Sequence, residues 1–274
     1  MSPGSHLCAF YGDDEELSRV ATAFVTAGLA TGARVLYVAA DHAVRGLGAA
    51  LALRGVVDLD SAVDAGQLVL RDSAAVYGTG ETDLATLAAA IGAESGEARR
   101  SGFTALRVAA EMTPFAEALG SAERLLQWER AASRMQQQSG VSSVCQYDER
   151  RLPQQDLRRL EVEHTGSAPA ALTSPAAHFL ATREPWGLRV VGQVDLENAD
   201  ELLAAVRARC AVDPRVFVDM RELTFIDVGA TRELVALAAG LPADGTLFLV
   251  RPPAVLARIL DLAFVRHQGL ELVT

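Results

Sequence analysis

The sequence predicts an α/β protein of two domains, a larger N-terminal three-layer domain on a parallel sheet and a smaller C-terminal α/β domain. Three observations predict it. From Leu7 to Tyr147, short apolar runs alternate with longer stretches of helical periodicity, the pattern of parallel strands joined by helices. Thr165–Ala177 is then built almost wholly from Gly, Ser, Ala, Thr and Pro, which cannot form a core and reads as a linker. Beyond it the alternation resumes, with Val216–Asp219 as a buried strand, a loop ending at Asp227 and a helix after it. The expected boundaries are a first domain over 1–163, a linker over 164–177 and a second domain over 178–274.

Taken in order, Leu7–Tyr11 is a strand, and the acidic run Asp13–Glu16 suits the start of a helix that continues to about Thr31. In that helix Leu17, Val20, Phe24 and Leu29 share one face. Arg34–Ala39 is the second strand, His42–Arg54 a helix, and Asp58–Asp64 a short one. Gly66–Leu70 is the third strand; a loop containing Tyr77-Gly78-Thr79-Gly80 leads into a helix ending near Arg99. Ala105–Ala110 is a strand closing on Glu111, Ser121–Gln138 a helix, Ser142–Tyr147 a strand and Pro153–Glu163 a charged helix. In the second domain, strands His178–Arg183 and Leu188–Val191 flank a tight turn. A helix bearing Leu196, Ala199, Leu202, Leu203 and Val206 comes next. After the stretch around Asp227, Thr246–Val250 is a strand and Pro253 opens a last helix.

Composition narrows the function. The formal charge of −10 repels a phosphate backbone or an anionic bilayer, so neither nucleic acid nor membrane is an expected partner. Every one of the 25 basic residues is Arg, which excludes a P-loop lysine and a Schiff-base lysine. The 3 cysteines form no disulfide framework, and no apolar run reaches membrane-spanning length, so a cytoplasmic protein with reduced thiols is expected.

Six separated pieces of the first domain carry a resemblance. They are His6-Leu7-Cys8-Ala9-Phe10-Tyr11, Ala27-Gly28-Leu29 with Val35–Val38, Ala65-Gly66-Gln67-Leu68, Gly102–Val108 with Glu111-Met112, Trp128-Glu129, and Cys145-Gln146-Tyr147-Asp148. Together they resemble the MEDS domain, a sensory domain of methanogens and methylotrophs. The resemblance implies a RecA/KaiC-like fold without ATPase machinery and a role in sensing small organic compounds.

Several residues are candidates for a ligand site. Tyr11, Glu111 and Tyr147 each end a strand, where open α/β sheets bind ligands, and are expected to converge on one rim. The Tyr77–Gly80 loop is a candidate cover. Arg107 and Glu111 share strand parity and read either as ligand contacts or as a structural ion pair. His6 and Cys8 share parity too, and Cys145 lies in another strand that can approach them. These three read either as metal ligands or as buried hydrophobes with a satisfied histidine. With no paired-ligand spacing, neither metal nor cofactor is expected. Four carboxylates at the first helix start, Asp13–Glu16, repel a triphosphate, so ATP hydrolysis is not expected.

In the second domain, Gly192–Leu196 and Thr224-Phe225-Ile226-Asp227 resemble the STAS domain of anti-sigma-factor antagonists. That family places Ser-Ser-Gly after the Asp; here Val228-Gly229-Ala230 stands there, so the regulatory phosphoserine position falls on Gly229. The resemblance implies a partner-binding face at Thr224, Asp227, Gly229, Ala230 and Thr231, docking an anti-sigma factor or regulatory kinase without the usual phosphate switch. The expected protein is a non-enzymatic bacterial signalling and transcription regulator, with a homodimer left open. The alternatives are a nucleotide- or thiol-dependent enzyme on the first domain, or a pure interaction adaptor.

Overall fold

The computed structural model describes residues 3–53, 59–77, 84–168, 176–262 and 269–273. The first domain runs β1 (His6–Tyr11), α1 (Asp14–Ala30), β2 (Arg34–Ala39), α2 (Asp41–Leu53), α3 (Leu59–Asp64), β3 (Leu68–Asp72), α4 (Ser73–Tyr77) and α5 (Leu84–Arg100). It continues with β4 (Leu106–Glu111), α6 (Thr113–Leu119), α7 (Ala122–Ser139), β5 (Ser142–Asp148), α8 (Gln154–Glu163) and β6 (Gly166–Ser167). The strands form a 6-stranded parallel sheet in the order β3-β2-β4-β5-β1-β6. Strand residues alternate between its two faces. Tyr11, Tyr37, Ala109 and Val144 join α1 and α2 in one core; Cys8, Val108, Cys145 and Tyr147 join α5 to α8 in the other. This is the three-layer α/β domain the alternation predicts. Short α4 and α6 were not anticipated. The six residues after Tyr77 lie outside the described residues, so most of the candidate covering loop does too.

The second domain runs β7 (Ala177–Arg183), β8 (Trp186–Val194), α9 (Ala199–Cys210), β9 (Arg215–Ile226), α10 (Val228–Ala239), β10 (Thr246–Val250), α11 (Ala254–Leu262) and β11 (Leu270–Val273). Its sheet is ordered β11-β10-β9-β8-β7, with only the β7–β8 hairpin antiparallel. Two local expectations are corrected. The strand expected to stop at Asp219 continues to Ile226, because Leu223 and Ile226 still point inward and two extra residues bulged out of β9 keep it paired with β8. Leu196 is not on the helix face. The helix starts only at Ala199, after Asn198, whose side chain accepts from Asp195 N–H instead of capping the helix, and Leu196 is left 88% exposed in the turn before it.

The start of the expected linker is built into the first sheet. Thr165 N–H donates to the His6 carbonyl at 2.7 Å, and its hydroxyl both donates to that carbonyl at 2.8 Å and accepts from His6 N–H at 2.9 Å. Gly166 and Ser167 then pair with Leu7 and Cys8. The two domains also share buried contacts. Leu180 and Ala181 of β7 lie in the two cores of the first domain. The Gln67 side chain seals the β7 edge, donating to Phe179 O at 3.1 Å and accepting from Ala181 N–H at 2.6 Å. Arg209, 1% exposed, donates to Ser101 O and lies over the rings of Trp186 and Phe103, 4.2 and 4.9 Å from their centroids. A sealed edge strand cannot pair with another chain. Among the described residues, no helix is long and apolar enough to cross a membrane.

Candidate functional site

Strand parity and register divide the predicted site residues between two faces. Tyr11 and Glu111 come together as expected: the Tyr11 hydroxyl donates to Glu111 Oε1 at 3.0 Å. Glu111 Oε2 accepts from Ala40 N–H at 3.1 Å. Burial and the neighbouring Glu111 carboxylate push the Tyr11 phenol well up. A cleft of about 370 Å³ opens beside the pair, lined also by Asp148 and Arg150, whose side chains are joined by two hydrogen bonds of 2.8 and 2.7 Å.

Tyr147 does not join this rim. It is in register with Phe10, not Tyr11, and its side chain lies on the opposite face. Arg107 does not join it either. Four residues of strand span about 13 Å, so Arg107 and Glu111 share a face at opposite ends of β4. Arg107 lies 4.6 Å over the Phe24 ring, and burial lowers its pKa to about 10.

On the other face, His6, Cys145 and Tyr147 converge on a residue that sequence reading did not assign to the site, Glu129 of α7. Its carboxylate is fully buried. Tyr147 donates to Glu129 Oε1 at 2.7 Å. Glu129 Oε2 lies 3.1 Å from His6 Nε2, 3.4 Å from His164 Nε2 and 3.8 Å from Cys145 Sγ. Burial acts to raise the Glu129 pKa, but His164 and His6 outweigh it and hold the group at about 2. Burial lowers the pKa of His6 and raises that of Cys145.

Cys8 stays outside this group; its thiol faces Gly166 O at 3.7 Å and Ser167 Oγ at 3.8 Å. The signal for Glu129 was present in the sequence. It stands among Leu125, Leu126, Trp128 and Ala132 on the buried stripe of its helix, where an unpaired charge does not belong. His164 carried no such signal, because it follows a helix at the edge of the expected linker.

An apolar cavity of about 160 Å³ reaches His6 and Cys145, walled by Val38, Val108, Met112 and Trp128. At the first β-to-α turn, Asp13 caps α1 by accepting from Glu16 N–H at 2.8 Å, while Glu16 accepts from Gly12 N–H at 2.8 Å. Amides that cradle phosphate in nucleotide-binding turns are here occupied by the chain's own carboxylates.

In the second domain, Asp227 caps α10, accepting from Ala230 N–H at 2.6 Å. Of the expected docking residues, Thr224 and Gly229 are exposed and Asp227 is half-buried. Ala230 and Thr231 are both buried, which corrects their place on that face: α10 packs them inward, and the Thr231 hydroxyl donates to Asp227 O at 2.8 Å. The exposed surface there is instead apolar, from Phe225 and Val228, with Leu196 in the loop after Val194, whose carbonyl accepts from Asp227 N–H. Val228 is exposed because it is the first residue of the helix, ahead of the inward stripe Ala230, Leu234 and Ala238.

The family model described as MEDS, "MEthanogen/methylotroph, DcmR Sensory domain", matches residues 5–165. The model described as "Mlab, STAS domain" matches residues 177–274. No curated protein matches the chain.

Proposed function

The chain belongs to the MEDS family of sensory domains and ends in a STAS domain, and we propose that it couples small-molecule sensing to protein docking. Its role is in signalling. In our reading the first domain takes a small organic molecule into the apolar cavity beside His6 and Cys145. The second docks an anti-sigma factor or regulatory kinase, and so regulates transcription. Gly229 offers no hydroxyl for phosphorylation, so binding on this face is not gated there.

The observation that carries the docking half is the exposed apolar group Leu196, Phe225 and Val228 around a capped helix start. Scattered apolar residues need no explanation, but a contiguous set at a helix end suits a partner surface. A non-enzymatic first domain is supported by the carboxylate-filled turn before α1. The test is affinity for the captured partner. Val228→Asp places a charge at the first position of α10, where the helix dipole favours it, so the fold is kept and binding is expected to fall at least about tenfold, or about 1.4 kcal/mol. Gly229→Glu is a less clean probe, because a Cβ there meets Asp227 Oδ1 at 3.3 Å and disturbs the cap. Unchanged affinity in Val228→Asp rules this face out.

A further inference from the structure

We propose that His6, Glu129, Cys145 and His164 form a binding site for a divalent transition-metal ion, with zinc the best match to the donors. One ligand atom from each lies within 4.8 Å of the others, and all four residues are buried.

The argument begins with the outward nitrogens. His164 Nδ1 lies 2.7 Å from the Leu160 carbonyl, which can only accept, so Nδ1 carries the hydrogen. His6 Nδ1 lies 2.7 Å from Ser133 Oγ, and the Ser133 hydroxyl spends its hydrogen on Glu163 O at 2.9 Å. Ser133 Oγ therefore accepts, and His6 Nδ1 also carries its hydrogen. Each neutral imidazole then presents its Nε2 lone pair inward. Both lone pairs face Glu129 Oε2, another acceptor, and Cys145 Sγ lies 3.3 Å from His6 Nε2. His164 Nε2 has no hydrogen-bond partner among the described residues.

A buried carboxylate facing lone pairs needs positive charge between them. Protons on the imidazoles are one source and a metal ion is the other. The distances favour the metal. Zinc bonds of ~2.0–2.1 Å to nitrogen and ~2.3 Å to sulfur make the edges of a coordination tetrahedron ~3.3–3.6 Å. Four of the six ligand-atom separations, 3.1, 3.3, 3.4 and 3.8 Å, lie within a few tenths of that range, and all six are within 4.8 Å. Two nitrogens, a carboxylate oxygen and a sulfur suit an ion of intermediate softness. Both imidazoles are also locked through Nδ1 by an oxygen acceptor, the outer arrangement that orients histidine ligands on metals. With four protein ligands the site is closed, so its role is structural. It ties α7 and the residue after α8 to the paired strands β1 and β5. Cys145 binds as thiolate and releases its proton to solvent.

The experiment uses the full chain, refolded from denaturant with cobalt(II) as the spectroscopic probe and assayed separately for metal retained after purification. Expected are one equivalent of tightly held ion, intense visible bands of tetrahedral cobalt and a near-ultraviolet thiolate charge-transfer band. Cys145→Ser should abolish the thiolate band, while Cys8→Ser and Cys210→Ser keep it. His164→Gln should weaken binding by at least about 100-fold. Ser133→Ala, which leaves every ligand in place, should weaken it by about 10-fold. The proposal is overturned if the folded parent chain takes up no stoichiometric cobalt or zinc, which would leave a proton-held Glu–His network. It is equally overturned if the thiolate band survives in Cys145→Ser. The parent result alone decides the matter should a variant fail to fold.

Discussion

Two buried glutamates on opposite faces of one sheet make the same first contact and then diverge. Glu111 and Glu129 each accept from a tyrosine hydroxyl, Tyr11 at 3.0 Å and Tyr147 at 2.7 Å. The second oxygen of Glu111 takes a backbone amide, Ala40 N–H. Among the described residues, the second oxygen of Glu129 takes no backbone group and faces His6, His164 and Cys145. Both lie on the buried faces of their elements, so burial and residue type do not tell them apart. The groups on the far oxygen do. Satisfied by donors, a buried carboxylate is a structural bracket between strands; faced by lone pairs, it is half of a binding site.

The largest expected effect is at Glu129. In chelator-treated protein, Glu129→Ala leaves two imidazoles and a phenol without the group they surround, and is expected to cost about 3–5 kcal/mol in urea denaturation. A loss under about 1 kcal/mol would break the comparison, since Glu129 would then be no more demanding than a surface residue. Glu111→Gln should cost only about 1 kcal/mol. The amide oxygen still accepts from Ala40 N–H, and the Tyr11 hydroxyl can turn to accept from the new NH2. A cost equal to that of Glu129→Ala would mean that the two carboxylates are equivalent after all.

The smallest effect is in the pH profile of the metal-free protein. Burial lowers the pKa of His178 from 6.5, and its Nε2 has no hydrogen-bond partner among the described residues. Below about pH 6.5 the unfolded chain takes up a proton that the folded chain refuses, so stability falls on acidification, by at most about 1.4 kcal/mol per pH unit for one group. His178→Leu should flatten that slope. Glu129→Ala should steepen it, because the carboxylate that opposes burial at His6 is removed and the His6 pKa falls further. A slope in Glu129→Ala equal to that of the parent chain would show that His6 does not sense Glu129.

Much of this arrangement was legible in the sequence. Alternation located the five long strands of the first sheet, and placing Cys145 on a strand able to approach His6 anticipated their meeting, whereas Cys8, which shares parity with His6, stays outside the group. The same reasoning failed for Tyr147, because parity within one strand says nothing about which residue of the next strand lies beside it. Only the register Phe10 with Tyr147 decides that. Thr231 failed for a related reason: its hydroxyl reads as surface chemistry until the helix is seen to turn it onto Asp227 O.

By itself the sequence determined the classes and order of the main elements and the absence of a phosphate-binding lysine, because hydrophobic periodicity, turn residues and composition are local properties, and its motifs carried the resemblance to the two families. Tertiary structure alone decided which buried groups meet. Glu129 and His164 are 35 residues apart along the chain, and His6 and Cys145 stand on separate strands. Their distances depend on how α7 packs on the sheet and where the chain returns to β1 after α8. Those placements minimise exposed surface over the whole domain, and no window of sequence encodes them.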